Sequence, residues 1–112
     1  MVKLSVLGTR DFNDYELLKK ELHKEAIDVI VVGGKSGPDI LAQEFALEMG
    51  IQTQVFLPDY KRHGKSANYQ RNLEMIRNST RIVVFWNKLS ESQFNYIPYI
   101  KEMKRSFRTV FY

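Results

Sequence analysis

Apolar residues recur along this chain in two alternating rhythms. Leu4-Ser5-Val6-Leu7, ending at Gly8, is a short strand-like run. Tyr15, Leu17, Leu18 and Leu22 then fall at helical spacing, with Lys19, Lys20, Glu21 and Lys24 left to face water. Asn13 or Asp14 supplies the cap, because a short side-chain acceptor satisfies free N–H groups at a helix start. Ile27 through Val32 is β-branched and apolar except at Asp28, as expected of a strand covered on both faces in a parallel sheet. From Pro38 the rhythm turns helical, through Ile40, Leu41, Phe45, Ala46 and Met49, and stops at Gly50. Proline in the first turn and glycine after the last are common helix punctuation.

The second half repeats the alternation. A third strand starts near Ile51 or Gln52 and closes with Val55-Phe56-Leu57. Pro58 to Lys65 is a basic loop, and Ser66 to Asn78 reads as a helix with Leu73, Met75 and Ile76 toward the core. Arg81 to Trp86 is a fourth strand. Ser90 to Arg105 is expected to be helical, kinked or divided by Pro98, and Arg108 to Tyr112 a terminal strand. The order βαβαβαβαβ specifies an α/β fold: one Rossmann-like three-layer α/β/α domain over residues 1–112, with a mostly parallel five-stranded sheet and right-handed crossovers.

In such a sheet, ligands bind outside the carboxyl ends of the strands, where strand order reverses. Three loops at that rim hold the candidate chemistry. Gly8-Thr9-Arg10 combines a glycine that permits close approach, a hydroxyl, and a guanidinium suited to phosphate or carboxylate. Its competing reading is an exposed Arg10 paired with Asp11 or Asp14. Gly33-Gly34-Lys35-Ser36-Gly37-Pro38-Asp39 is neither GxGxxG nor a Walker sequence, yet its glycines and the helix start behind them can cradle a phosphate. Asp39 can cap the helix, orient a sugar hydroxyl or act as a base. The third loop, Asp59-Tyr60-Lys61-Arg62-His63-Gly64-Lys65, offers an electrostatic clamp. Behind it, Arg71 and Asn72 either reach a base or ribose, or pin the loop. Tyr60, Tyr69 and Trp86 can stack on a base, although Trp86 suits packing at a strand end.

Charge and composition narrow the classes. Residues 1–57 hold 6 Lys/Arg against 9 Asp/Glu, and residues 58–112 hold 11 against 4, within a net charge of +4. A basic half is compatible with nucleotide phosphate or nucleic acid, although no zinc finger, RRM or helix-turn-helix pattern accompanies it. The absence of cysteine excludes disulfides, thiolate chemistry and Cys-based metal sites. His63 has no partner at metal-ligand spacing, and His23 lies on a solvent-facing helix, so no metal and no cofactor is expected. No signal peptide is visible at the start, and the apolar runs are far shorter than the ~20 residues of a membrane span. The expectation is a cytoplasmic protein that covers an exposed face by forming a homodimer or a higher oligomer.

Taken in order, Gly8-Thr9-Arg10-Asp11-Phe12, Gly33-Gly34 with Gly37 and Asp39-Ile40-Leu41-Ala42, and Pro58-Asp59-Tyr60 with Gly64, Ala67, Arg71-Asn72 and Met75 resemble one family. It is the small YspA-like branch of the SLOG superfamily, related to YpsA and more distantly to LOG phosphoribohydrolases and DprA/SMF proteins. The resemblance covers about residues 3–87 and suits a bacterial or phage source. It departs at Ala67-Asn68-Tyr69, where the pattern has Ala-Gly-Pro. It departs again at residues 87–93, which lack the glycines of a second phosphate loop and of the LOG Gly-Gly-x-Gly-Thr-x-x-Glu arrangement.

The resemblance implies a nucleotide-derived small molecule, bound by a sensor or carrier module. On this reading Gly33, Gly34, Gly37 and backbone neighbours hold phosphate, Arg10 and Lys35 neutralise charge, Asp39 and Asn72 contact sugar, and Arg71 anchors the distal end. Gly8, Thr9, Ser36, Asp59, Lys65 and Ser90 are the further ligand-binding candidates. A first alternative is an N-glycosidic-bond hydrolase of nucleoside monophosphates, with Asp39 and Glu91 as its carboxylates. A second is nucleic-acid binding through the basic half. No membrane partner is expected.

Overall fold

The computed structural model of the chain describes residues 1–34, 37–89 and 96–112. Strands β1 (Lys3–Gly8), β2 (Val29–Val32), β3 (Gln52–Val55), β4 (Arg81–Trp86) and β5 (Ser106–Phe111) form one sheet in the order β3-β2-β1-β4-β5. Every pairing is parallel, so the sheet expected to be mostly parallel is wholly so. The register sets Leu4 beside Ile30 and Val6 beside Val83. Between the strands run α1 (Tyr15–Leu22), α2 (Pro38–Met49), the single turn α3 (Tyr60–His63) continued by a 3-10 turn at Gly64–Ser66, α4 (Ala67–Arg77) and α5 (Ile97–Glu102).

Because strand side chains alternate in direction, each central strand feeds two cores. Leu4, Val6, Ile30, Val32, Val83 and Phe85 pack against Leu18 and Leu22 of α1 and Ala42, Phe45 and Ala46 of α2. Leu7, Val31, Ile82, Val84 and Trp86 pack on the other face against Met75 and Ile76 of α4 and Ile100 of α5. This gives the three-layer, Rossmann-like architecture. Trp86 is buried in the second core and lies beside Phe111.

Several boundaries differ from the sequence expectation for local reasons. Asp14, not Asn13, caps α1 by accepting the Leu17 N–H at 3.0 Å. The strand expected from Ile27 starts at Val29, because the Asp28 carboxylate is drawn to the Val2 N–H at 2.6 Å. β3 stops at Val55; the Phe56 N–H still reaches the Val32 carbonyl, after which the chain turns off the sheet and leaves Leu57 exposed. The basic loop is partly helical, since the Asp59 carboxylate caps α3. Pro98 opens α5 instead of kinking it, which suits a residue with no N–H to give in a first turn. Residues 90–95 of that expected helix lie outside the described residues. Among the described residues, no helix is long and apolar enough to cross a membrane.

Charged side chains tie α1 to β4 and β5. Arg108 donates to Glu21 at 2.7 Å and lies 3.5 Å from Glu25, which also pairs with Arg81. The Lys24 ammonium, helped by Arg108, holds the Glu21 carboxyl below the usual range against the effect of burial. Burial pushes the Glu25 carboxyl up, and the two guanidinium groups outweigh it, so its pKa is lowered. Carboxylates lowered in the fold stabilise it above their unfolded pKa, and that stability drains away as pH falls through the folded value. Arg108→Ala should therefore cost about 1–2 kcal/mol at neutral pH. The deficit should shrink progressively as pH falls below about 4, where the carboxylates take up protons first in the unfolded chain and then in the fold. Denaturant unfolding at the two pH values checks this, and a deficit that does not change with pH would assign the loss to packing.

Candidate ligand-binding site

Gly33 ends β2 with both of its backbone polar groups bound by side chains. Its N–H donates to Asp39 Oδ1 at 2.9 Å. Its carbonyl accepts from Arg71 Nη1, and Arg71 Nε donates to Asn72 Oδ1 at 2.7 Å. Asn72 Nδ2 in turn donates to the Tyr96 hydroxyl at 2.9 Å, and Tyr96 stacks on Tyr69. One residue on, the Gly34 carbonyl accepts from Gln43 Nε2 at 2.8 Å. The Gly-rich loop thus leaves the sheet along a fixed path. A Cβ on Gly33 would lie 2.6 Å from Arg71 Nη1, so any larger residue would displace the guanidinium from this contact.

The end of the same loop meets the end of β1. Gly37 has φ 46° and ψ −119°, a region open in practice to glycine alone. A Cβ there would stand 2.9 Å from the Arg10 carbonyl oxygen and 3.1 Å from that of Thr9. Gly37 is the N-cap of α2 and has no side-chain cap bond. Asp39, expected as a possible cap, instead sits inside the first turn and turns back to the strand end.

Between these loops and α4 lies an open cavity of about 420 Å³. Arg10, Gly33, Leu57, Pro58, Tyr60, Asn68 and Arg71 line it. Of the residues nominated from sequence, Arg10, Gly33 and Arg71 therefore share one space. Asp39 and Asn72 do not line it but bond to Gly33 and Arg71, which do, and Gly34 and Gly37 lie in the loop beside it. Asp59 caps α3 through the Arg62 N–H at 3.1 Å, and Lys65 is exposed in the 3-10 turn. Lys35, Ser36, Ser90 and Glu91 fall outside the described residues.

Gly8 and Thr9 face the other way, toward the switch between β1 and β4. Gly8 abuts the Phe85 carbonyl and Pro38. The Thr9 N–H donates to the Phe85 carbonyl at 3.0 Å. Beside them Asp11 accepts from Asn87 Nδ2 at 3.2 Å and from the Tyr112 hydroxyl. The Tyr112 and Asn87 hydrogen bonds keep the Asp11 carboxyl below its ordinary value. The expected Arg10 ion pair with Asp11 or Asp14 is not formed: Asp14 caps α1, and Asp11 takes Tyr112 and Asn87. The cavity consequently lies on the β1-β2-β3 side of the rim and not in the β1/β4 crevice.

Leu57 and Asn68, which line the cavity, and Gln43, which holds the Gly34 carbonyl, are not marked by the local sequence pattern. The apolar run through Leu57 reads as strand, and only the turn at its Pro58 neighbour points elsewhere. Asn68 stands where the family pattern has glycine, and that departure marks a cavity-lining side chain. Gln43 shows only a helical offset of four from Asp39.

The YspA, cpYpsA-related SLOG family matches residues 2–63 of the chain. The chain is also similar to the Gene 61 protein of Mycobacterium phage D29, at 31% identity over 87 residues, covering 69% of this chain and 70% of that one. No solved structure matches it.

Burial raises the Asp39 carboxyl above its usual value, opposed in part by the Gly33 N–H and by the charge of Arg71. A carboxyl raised in the fold contributes stability below its unfolded pKa and loses it as pH rises through the folded value. Asp39→Asn keeps an acceptor for Gly33 and removes the buried charge. It should match or exceed the parent stability at about pH 7, by up to about 1 kcal/mol, and converge with it near about pH 3. Asp39→Ala should cost about 1–3 kcal/mol, because it orphans the Gly33 N–H. Denaturant midpoints at both pH values check the pair; an Asn variant as damaged as the Ala variant would mean that the ionised carboxylate is required.

Proposed function

The chain belongs to the YspA, cpYpsA-related SLOG family, and from that membership we propose that it binds a nucleotide or nucleotide-derived phosphate ligand at the carboxyl rim of its sheet, as a sensor or carrier module. The observation that carries the reading is the composition of the rim cavity. Two guanidinium groups, Arg10 and Arg71, border a space whose remaining wall is Leu57, Pro58 and Tyr60, with the Asn68 amide beside them. Guanidinium forks recognise phosphate oxygens, and an apolar and aromatic wall accepts the flat face of a base. The concave, mostly apolar surface with a few convergent polar groups fits the usual form of a small-molecule site.

Binding without turnover is the better-supported form. Hydrolysis of an N-glycosidic bond needs a carboxylate that can stabilise an oxocarbenium-like centre or activate water. Asp39, the described candidate, commits an oxygen to the Gly33 N–H and is 8% exposed.

Incubation with AMP, ATP, NAD, ADP-ribose and cyclic dinucleotides, followed by thermal shift and chromatography of the same samples, tests the proposal. A ligand at about 100 times its Kd adds about 2.7 kcal/mol, a rise in Tm of roughly 10 °C for a domain of this size. The expected result is such a rise with the nucleotide recovered intact. Recovery of free base and ribose phosphate would replace the binding module with a hydrolase, and a flat Tm across the panel would remove the nucleotide reading.

A further inference from the structure

We infer that the anionic end of the ligand sits between Arg10 and Arg71, against the wall of Leu57, Pro58 and Tyr60, and not on the amino-terminal turn of α2. The inference rests on the nucleotide reading above and fixes which end of the ligand occupies which part of the rim.

A helix start beside a glycine loop is the usual seat for a phosphate, because free N–H groups and the helix dipole favour negative charge there. In this chain that turn already holds an anion. The Asp39 carboxylate is buried in the first turn of α2 and bonded to the Gly33 N–H at 2.9 Å. The Thr9 and Arg10 carbonyl oxygens crowd Gly37 immediately before it. A phosphate placed here would meet a carboxylate and two carbonyl dipoles of its own sign.

The cavity next to it has the opposite character. Arg71 is oriented by two neutral acceptors, the Gly33 carbonyl and Asn72 Oδ1, and forms no salt bridge among the described residues. Its planar fork is therefore pre-positioned while its charge is left unpaired at contact range. Arg10 is exposed, and its side chain has no hydrogen-bond or ion-pair partner among the described residues. Two such groups bordering one space suit the oxygens of a phosphomonoester. Leu57 and Tyr60 are 66% and 60% exposed, an apolar surface available to a planar group attached to that phosphate. A volume of about 420 Å³ lies toward the small end of the roughly 300–1,000 Å³ typical of ligand pockets. The class that fits is a nucleoside monophosphate or an equally compact phosphomonoester, in preference to a dinucleotide.

The test is an NMR titration of the 15N-labelled protein with AMP, adenosine and inorganic phosphate, at constant ionic strength, repeated on Arg10→Ala and Lys20→Ala. Lys20 is an exposed cation on α1 outside the cavity, so its loss changes net charge equally. Phosphate and AMP should shift the amides of Arg10 and Leu57 and the Arg71 Nε–H. Arg10→Ala should weaken AMP by about tenfold or more, and Lys20→Ala by less than about twofold. AMP binding that shifts Gly37 to Leu41 and tolerates Arg10→Ala would overturn the seat and leave the nucleotide reading standing. Equal losses in both variants would reduce the effect to bulk charge and also overturn it. Arg10-dependent phosphate binding without nucleotide binding would uphold the seat and remove the nucleotide. Silence toward both phosphate and AMP would overturn the seat as well.

Discussion

The peptide of Gly33 is gripped from two sides. Asp39 on α2 accepts its N–H, and Arg71 on α4 donates to its carbonyl. These two helices lie on opposite faces of the sheet, so a single strand end joins both layers at the rim. A buried backbone group with no partner is costly, and here both groups are satisfied by ionisable side chains, the stronger form of the bond. The residue must be glycine for the guanidinium to come this close. This part of the rim is arranged around that contact: the path of the Gly-rich loop, the fixed direction of Arg71, and the Asn72 amide and Tyr96 hydroxyl that support it.

Charge is partitioned between the two ends of the strands. Glu21 and Glu25 at the end of α1 are paired with Lys24, Arg81 and Arg108, so each of these charges has a partner within the fold. At the carboxyl rim the balance differs. Arg10 has no counter-charge at contact range among the described residues, and Arg71 is bonded to neutral atoms. Polar groups that hold a fold together find their partners within it, whereas groups positioned without an opposite charge retain the capacity to meet one from outside. The contrast within one small domain separates cations paired inside the fold from cations with no counter-charge at contact range among the described residues.

Asp39 illustrates how one residue type serves different ends at neighbouring positions. Asp14 and Asp59 stand before their helices and cap them by the ordinary short-range bond. Asp39 stands within the first turn of its helix, where the same carboxylate gains from the dipole and reaches back to a strand end instead. Its burial follows from that reach, and so does the occupation of a turn that would otherwise attract an anion.

Local pattern by itself determined the order of strands and helices, the parallel sheet and the doubly covered central strands, because period and burial are written into neighbouring residues. Val29 to Val32 and Ile82 to Trp86 are short, largely β-branched apolar runs, the pattern of strands covered on both faces. The motif glycines and Arg10, Asp39, Arg71 and Asn72 were legible as rim residues for the same reason, since each follows a strand or opens a helix. Only the tertiary structure decided what each one touches. The partners of Arg71 lie one residue away and 38 residues away, and no periodicity links the latter pair. It also turned Leu57 out of its expected strand into the cavity wall, and brought Asn68 to the same space from α4. Contacts between elements depend on where whole layers pack, and that is a property of the assembled sheet and not of any one segment of sequence.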